Sequence, residues 1–351
     1  MTYTIGIDLT FIKDHKKAVG NEISALSIVE GLHNNRSGQD FIIFANQDNA
    51  KDLKSMYKSF NVITTAKGFM FYNKFLPQFV KKYGVDVLYY PQYVRFMNFR
   101  LKTKIVITTH GLIKGDDFLL DKLRPAMIKR AAKVVAASDF LKNQLIKKRS
   151  IDPSKIITIP NPLANMTKSV DVVFKKKNIL AVGSDKPQKN IMLVVRAFEK
   201  LVPIIEHDLI LVGDISGKGE IFRYIVDNNI SNRIIVTGRV SRETLFGYYK
   251  NTDLFVNTST YEGFGLAPLE AMAFKAPVVS TPIPSISELG NVQFDAALNY
   301  EDDEREVANK MLAVLKSEKN TEYLENRAKR ILDYYSLDSI SKKYLQVFEN
   351  V

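Results

Sequence analysis

The sequence predicts an α/β chain built as two Rossmann-like domains that face each other across a cleft. Three observations lead there. Short β-rich apolar runs alternate with longer amphipathic stretches from end to end, the pattern of parallel sheets covered by helices. The 351 residues suffice for two separate cores. One segment, PLANMTKSVDVVFKKK at 162–177, interrupts the alternation without a period of its own, and the interdomain linker is placed there.

Seven strands are expected in the first half: TIGID (4–8), FIIFA (41–45), NVIT (61–64), DVLYY (86–90), KIVITT (104–109), KVVAAS (133–138) and KIITIP (155–160). Helical stretches such as GNEISALSIVEGLHNN and SDFLKNQLIKK separate them, the second opening on Ser138 as N-cap. The second half repeats the scheme with NILAVG (178–183), DLILVG (208–213), RIIVTG (233–238), DLFVNTS (253–259) and PVVST (277–281). Three of these end in glycine, which puts loops at their C-terminal ends, where ligands bind in open parallel sheets. From Glu301 onward the chain reads as helix. The domains are therefore drawn at 1–165 and 166–334, with a last helical segment at 335–351.

Composition narrows the function classes. No apolar run reaches the length of a membrane span, and the start MTYTIGIDLTF enters a strand directly, so a cytoplasmic location is expected. The absence of cysteine excludes disulfides, thiolate metal sites and a cysteine nucleophile. Net charge is +12, but it is uneven: residues 1–165 carry 26 Lys and Arg against 13 Asp and Glu, and residues 166–351 carry 24 against 25. Basic runs at 81–84, 95–104, 122–133 and 141–150 interleave with Phe, Met, Tyr and Leu. Such a face suits an anionic partner, whether nucleic acid, acidic lipid or an anionic acceptor.

The most informative stretch is YEGFGLAPLEAMAF at 261–274. Gly263 and Gly265 free the backbone for a tight turn, Pro268 suits a first helical turn, and LEAMAF continues as helix formers. A strand, a glycine loop and a helix start place backbone N–H groups where an anion such as phosphate is favoured. Glu262 and Glu270, eight positions apart, add two carboxylates that accept hydroxyl protons. Phosphate plus hydroxyls describes a nucleotide-sugar; a plain strand-to-helix turn with two solvated glutamates is the competing reading.

Taken in order, AVG, KN, AF, LVG, VTG and YEGFGLAPLEAMA…PVVST resemble the GT-B fold glycosyltransferases of family 4, a retaining family, over most of the chain and most densely from 178 to 290. The Glu-x7-Glu spacing of Glu262 and Glu270 is the family's signature. The resemblance implies that Glu270 binds the donor ribose hydroxyls and that Glu262 faces the donor sugar. It also implies that the backbone N–H groups of Phe264, Gly265 and Leu266 hold the diphosphate, that Gly263 is among the donor-binding residues, and that Lys189 neutralises the donor phosphate. Gly238 and Arg239 match the loop near the nucleotide base, and Glu288 a downstream glutamate. In TTHGL, His110 matches the family histidine that faces the reacting sugar. PQYV at 91–94 resembles an acceptor-side loop, Asn161 the asparagine ending the first domain, and 335–351 a helix returning to that domain.

Departures accompany the match. Many relatives carry adjacent glycines after the first strand, where this chain has KKAVGNEIS with Gly20 alone. Many carry an arginine before the lysine, where this chain has Ser184 or Gln188, with Lys186 nearby; Leu337 stands near the place of a common tryptophan.

The resemblance implies a hexose moved from a nucleotide-diphosphate sugar to a saccharide or polyprenyl-diphosphate-linked acceptor, in cell-surface polysaccharide synthesis and beside an anionic membrane. No Asp-x-Asp occurs, which argues against the metal-dependent GT-A type, so no metal and no cofactor is expected. Rival readings are a sugar-nucleotide epimerase of the same architecture and a non-catalytic nucleic-acid binder. Nothing in the sequence matches a nucleic-acid module. A nicotinamide oxidoreductase is disfavoured because no G-x-G-x-x-G follows the first strand.

Overall fold

The computed structural model describes residues 3–12, 14, 18, 20–36, 38–66, 68, 70–92, 101–111, 126, 128–149, 151–163, 166, 169–172, 174–290 and 292–351. These fall into two compact units, one of residues 1–164 with 335–351, the other of residues 165–334. Residues 122–125 and 127 of the basic run at 122–133, residues 95–100 of that at 95–104, and Tyr93 and Val94 of the acceptor-side loop lie outside the described residues.

The first unit holds a seven-stranded sheet: β1 (Tyr3–Asp8), β2 (Gln39–Ala45), β3 (Asn61–Thr64), β4 (Val87–Tyr90), β5 (Lys104–Thr109), β6 (Lys133–Ala136) and β7 (Ile156–Thr158), in the order β3-β2-β1-β4-β5-β6-β7. Every pairing is parallel. Strands buried on both faces need continuous apolar runs rather than alternation, and β4 and β5 meet this with Val87, Leu88, Tyr89, Tyr90 and Ile105, Val106, Ile107 at or near zero exposure. The helices are α1 (Asn21–Asn35), α2 (Ala50–Met56), α3 (Leu76–Lys82), which continues a π-turn over Phe71–Phe75, and α4 (Asp139–Arg149). On α1, Ala25, Ile28, Val29 and Leu32 recur at helical spacing and are buried.

The second unit holds a six-stranded sheet: β8 (Asn178–Ser184), β9 (Asp208–Asp214), β10 (Ile234–Gly238), β11 (Leu254–Asn257), β12 (Val278–Ser280) and β13 (Ala296–Ala297), in the order β10-β9-β8-β11-β12-β13, again all parallel. Its helices are α5 (Ile191–Leu201), α6 (Glu220–Asp227), α7 (Arg242–Asn251), α8 (Leu266–Ala273), α9 (Pro284–Ser287), α10 (Glu304–Lys316) and α11 (Thr321–Tyr334). Ile191, Val194, Val195, Phe198 and Leu201 make one buried stripe on α5.

The last helix, α12 (Leu337–Glu349), packs on α1 in the first unit. Tyr344 and Phe348 pack against Tyr89 with tilted rings, centroids 5.5 and 5.1 Å away. The Tyr344 and Tyr89 hydroxyls meet Thr108 Oγ1 at 3.0 and 2.8 Å, so the polar ends of both buried tyrosines are satisfied. Gly31 makes the approach possible: a Cβ there would stand 2.8 Å from the Leu337 carbonyl oxygen.

Element ends differ from expectation where a polar side chain takes over. β6 stops at Ala136 rather than 138, because Ser138 Oγ accepts from Leu141 N at 3.1 Å and caps α4. β11 spans 254–257 rather than 253–259, since Thr258 Oγ1 donates to the Asn190 carbonyl and Ser259 Oγ to Asn257 Oδ1. β7 ends at Thr158, two residues before Pro160.

Candidate donor site

In the second sheet the chain leaves β8 toward β9 and β10, then returns to lay β11, β12 and β13 on the other side. The crevice beyond the C-terminal ends of β8 and β11 is therefore the topological switch point, the place where open parallel sheets bind ligands. Two loops close over it. After β8, a 3₁₀ turn over Pro187–Lys189 ends on Asn190 in the left-handed region, φ 46°, and releases the chain into α5. After β11, residues 258–265 lead to α8. The loops are tied together: Thr260 N donates to the Gln188 carbonyl at 2.9 Å, and Thr258 Oγ1 to the Asn190 carbonyl at 2.8 Å.

These ties bring Lys189 and Glu262 into contact, Nζ to Oε1 at 2.6 Å, with 27% and 14% of their side chains exposed. The second loop ends at Gly265, whose φ of +91° and whose Cβ position, 2.8 Å from the Ile283 side chain, admit no other residue without strain. Below the loop, Asn257 Nδ2 donates to Ser280 Oγ at 2.9 Å and Thr281 Oγ1 donates to the Ser259 carbonyl at 2.7 Å, a buried polar floor that fixes the strand ends. The first N–H groups of α8 have no intrahelical acceptor and lie at the positive end of its dipole.

Glu270 lies one turn further along α8 and is buried, 3% of its side chain exposed. Its Oε1 accepts from Arg242 Nη2 at 2.7 Å. Burial pulls the Arg242 guanidinium down, but Glu270 outweighs it and the group ends above its ordinary range. The Tyr249 hydroxyl is pushed well above its ordinary range, first by burial and then by the Glu270 carboxylate. The expected base-side residues behave differently. Gly238 takes φ 71° at the end of β10, and Arg239 turns to an exposed pairing with Asp214 at 2.9 Å.

Sequence reasoning missed Arg242, whose partner is 28 positions away and whose motif, VSRETL, reads as an ordinary helix start. It also missed Tyr300. That hydroxyl donates to the Pro282 carbonyl at 3.2 Å; burial and then the charge of Glu262 raise it.

His110 and Gly20 belong to the first unit. Gly20 precedes α1 with φ 49°. His110, at the end of β5, is buried. Its Nε2 lies 2.8 Å from the Pro91 carbonyl, which only accepts, so Nε2 carries the hydrogen. Its Nδ1 lies 3.0 Å from Asn161 Oδ1. Burial lowers His110 below its ordinary range, against the opposing effect of the hydrogen bonds with Pro91 and Asn161. This gives Asn161 its place. At the switch point of the first sheet, between β1 and β4, Asp8 is fully buried. It accepts from Tyr72 Oη at 2.6 Å, Thr10 Oγ1 at 2.7 Å and Thr10 N at 2.9 Å, and burial raises its carboxyl.

A glycine loop, a lysine and a helix N-terminus are gathered at this switch point, and the two all-parallel sheets are those of the GT-B fold. Comparison gives the family. The description "Glycosyltransferase Family 4" matches residues 20–164 and "Glycosyl transferases group 1" matches 166–331; the chain belongs to this family of glycosyltransferases. An uncharacterised glycosyltransferase of Methanocaldococcus jannaschii is 27% identical over 258 residues, which cover 68% of this chain and 65% of the relative. The O-antigen chain mannosyltransferase RfbU of Salmonella typhimurium is 28% identical over 208 residues, 53% of this chain and 58% of the relative. The matched segments thus span less than two thirds of either relative's length. The crystal structure of Anabaena HepE in complex with UDP and glucose superposes with a TM-score of 0.76 at 16% identity, over 99% of this chain and 100% of that one, a likeness of fold. Among the described residues no helix is long and apolar enough to cross a membrane.

Proposed function

We propose that the protein transfers a hexose from a nucleotide-diphosphate sugar to a saccharide or lipid-diphosphate-linked acceptor, with retention at the anomeric carbon, in the building of a cell-surface glycan. The observation that carries this reading is the Lys189–Glu262 contact at the mouth of the glycine loop. It sets a cation for the diphosphate and a carboxylate for sugar hydroxyls side by side, next to the N-terminus of α8. UDP and glucose in HepE and the mannosyltransferase RfbU support a hexose donor of this class.

In the proposed reaction the bond from C1 to the diphosphate oxygen breaks and a bond from the acceptor oxygen to C1 forms. Negative charge gathers on the departing diphosphate. Lys189 and the N–H groups of Gly263 to Leu266 are preorganised where that charge develops and stabilise it without reorganising, and no metal ion is assigned. The acceptor attacks on the leaving-group face and its proton passes to the departing phosphate oxygen. Glu262 is placed against the donor sugar and Glu270 against the ribose. His110, with both ring nitrogens engaged, is assigned to sugar contact rather than proton transfer. Gly238, Arg239 and Gly20 are assigned to the margins of the donor. The basic residues of the first unit are assigned to an anionic membrane surface on the cytoplasmic side.

NMR of the purified product tests the stereochemistry. A linkage with the donor's anomeric configuration is expected, and an inverted one overturns retention. Free nucleotide released only when acceptor is present separates a transferase from an epimerase.

A further inference from the structure

We infer that Arg242 is the positioning residue of the ribose subsite: it fixes the Glu270 carboxylate in the one orientation that reads the sugar hydroxyls of the donor nucleotide. This rests on the donor reading given above.

A buried carboxylate needs a charged partner, and Glu270 has only 3% of its side chain exposed. Its partner comes from a different helix. Arg242, Phe246 and Tyr249 are spaced i, i+4 and i+7, so they share one face of α7, and all three close on α8. Arg242 Nη2 reaches Glu270 Oε1 at 2.7 Å. The guanidinium is itself held by Phe246, whose ring centroid is 4.5 Å from Cζ. Tyr249 borders the carboxylate from two turns further along the same face. Phe246 and Tyr249 also pack on Phe274, just past the end of α8, at 5.2 and 6.1 Å between centroids. The two helices are therefore locked around the pair.

The location of Arg242 strengthens the assignment. It is the first residue of α7, directly after the Ser241 N-cap, whose Oγ accepts from Thr244 N at 3.2 Å. A cation there opposes the helix dipole. A residue that breaks a local preference marks a site, and here the compensation is the Glu270 contact. One oxygen is committed to Arg242, and the other lone pairs of the carboxylate have a fixed direction. A planar guanidinium fixes that direction better than a lysine ammonium.

Isothermal titration of UDP, GDP and ADP, each against its 2′-deoxy counterpart, tests this on wild type, Arg242→Lys, Arg242→Met and Glu270→Gln. Wild type is expected to favour the ribonucleotide by about tenfold, as a hydrogen bond to a charged group implies. Arg242→Lys and Arg242→Met are expected to reduce the preference to about threefold or less, like Glu270→Gln. Overall weakening alone would be a structural effect; loss of ribose discrimination is not. If Arg242→Met fails to fold, Arg242→Lys carries the test, with the double variant Arg242→Met/Glu270→Gln as the neutral pair. Unchanged discrimination in the folded arginine variants overturns the inference alone. A wild type that binds none of these nucleotides overturns the donor reading and the inference with it.

Discussion

Lys189 Nζ stands 2.6 Å from Glu262 Oε1, joining the loop after β8 to the loop after β11. The two residues act as a unit, so their losses should not add. Lys189→Met and Glu262→Gln are each expected to lower kcat/KM for donor by about 100-fold or more. The double variant should fall short of the summed loss by roughly 1–2 kcal/mol. Steady-state kinetics on the four proteins measures this; strictly additive losses would show that the contact has no part in the reaction.

Gly265 is the hinge between loop and helix. Gly265→Ala forces a side chain into a left-handed backbone and against Ile283. The expected cost is about 2–4 kcal/mol, seen as an earlier urea midpoint. Gly217→Ala, where the added methyl meets nothing within 4 Å, should stay within about 0.5 kcal/mol of wild type. Equal midpoints for the two variants would contradict the assignment.

His110 makes stability depend on pH in a defined direction. Its folded pKa lies below the ordinary 6.5, so the unfolded chain binds the proton more readily. The contribution is present in full above about pH 6.5 and is lost as pH falls through the folded value. Wild type should therefore lose more stability than His110→Gln between pH 7.5 and 5. His207 is also lowered by burial and remains in both proteins, so the difference between their curves isolates His110. Parallel curves would contradict the lowering of His110 by burial.

The basic surface of the first unit gives a fourth expectation. On α4, Phe140, Lys147 and Lys148 are exposed. Sedimentation with vesicles of anionic lipid should exceed that with neutral vesicles and weaken with salt. Lys147→Glu/Lys148→Glu should reduce binding at least tenfold, on the basis of about 1 kcal/mol per basic residue near the surface. Equal sedimentation with both vesicle types would remove the membrane from the account.

How much of this was legible in the sequence depends on how local each signal is. The strand, glycine loop and helix of 254–273 could be read because Gly263, Gly265 and Pro268 act on their own backbone. The strands of both sheets could be read because burial on two faces demands apolar runs such as KIVITT and DLILVG. Their ends could not, where Ser138 or Thr258 diverts the chain through a side-chain hydrogen bond. β13 escaped notice because Ala296 and Ala297 become a strand only by pairing with β12. Arg242 escaped for the same reason on a larger scale. Its neighbour Arg239 carries the same charge in the same segment, and only the packing of α7 on α8 selects which arginine meets Glu270.

The most direct test of the donor site is a thermal-shift panel of the whole protein with UDP, GDP, dTDP and their hexose conjugates, repeated on Glu270→Gln. A ligand that binds only the folded state at 100 times its Kd stabilises by about 2.7 kcal/mol, a rise of several degrees for a protein of this size. A rise with one nucleotide series in wild type, diminished in Glu270→Gln, is the expected result. No rise with any of them, in a protein that melts cooperatively, would contradict the placement of a nucleotide-sugar at the ends of β8 and β11.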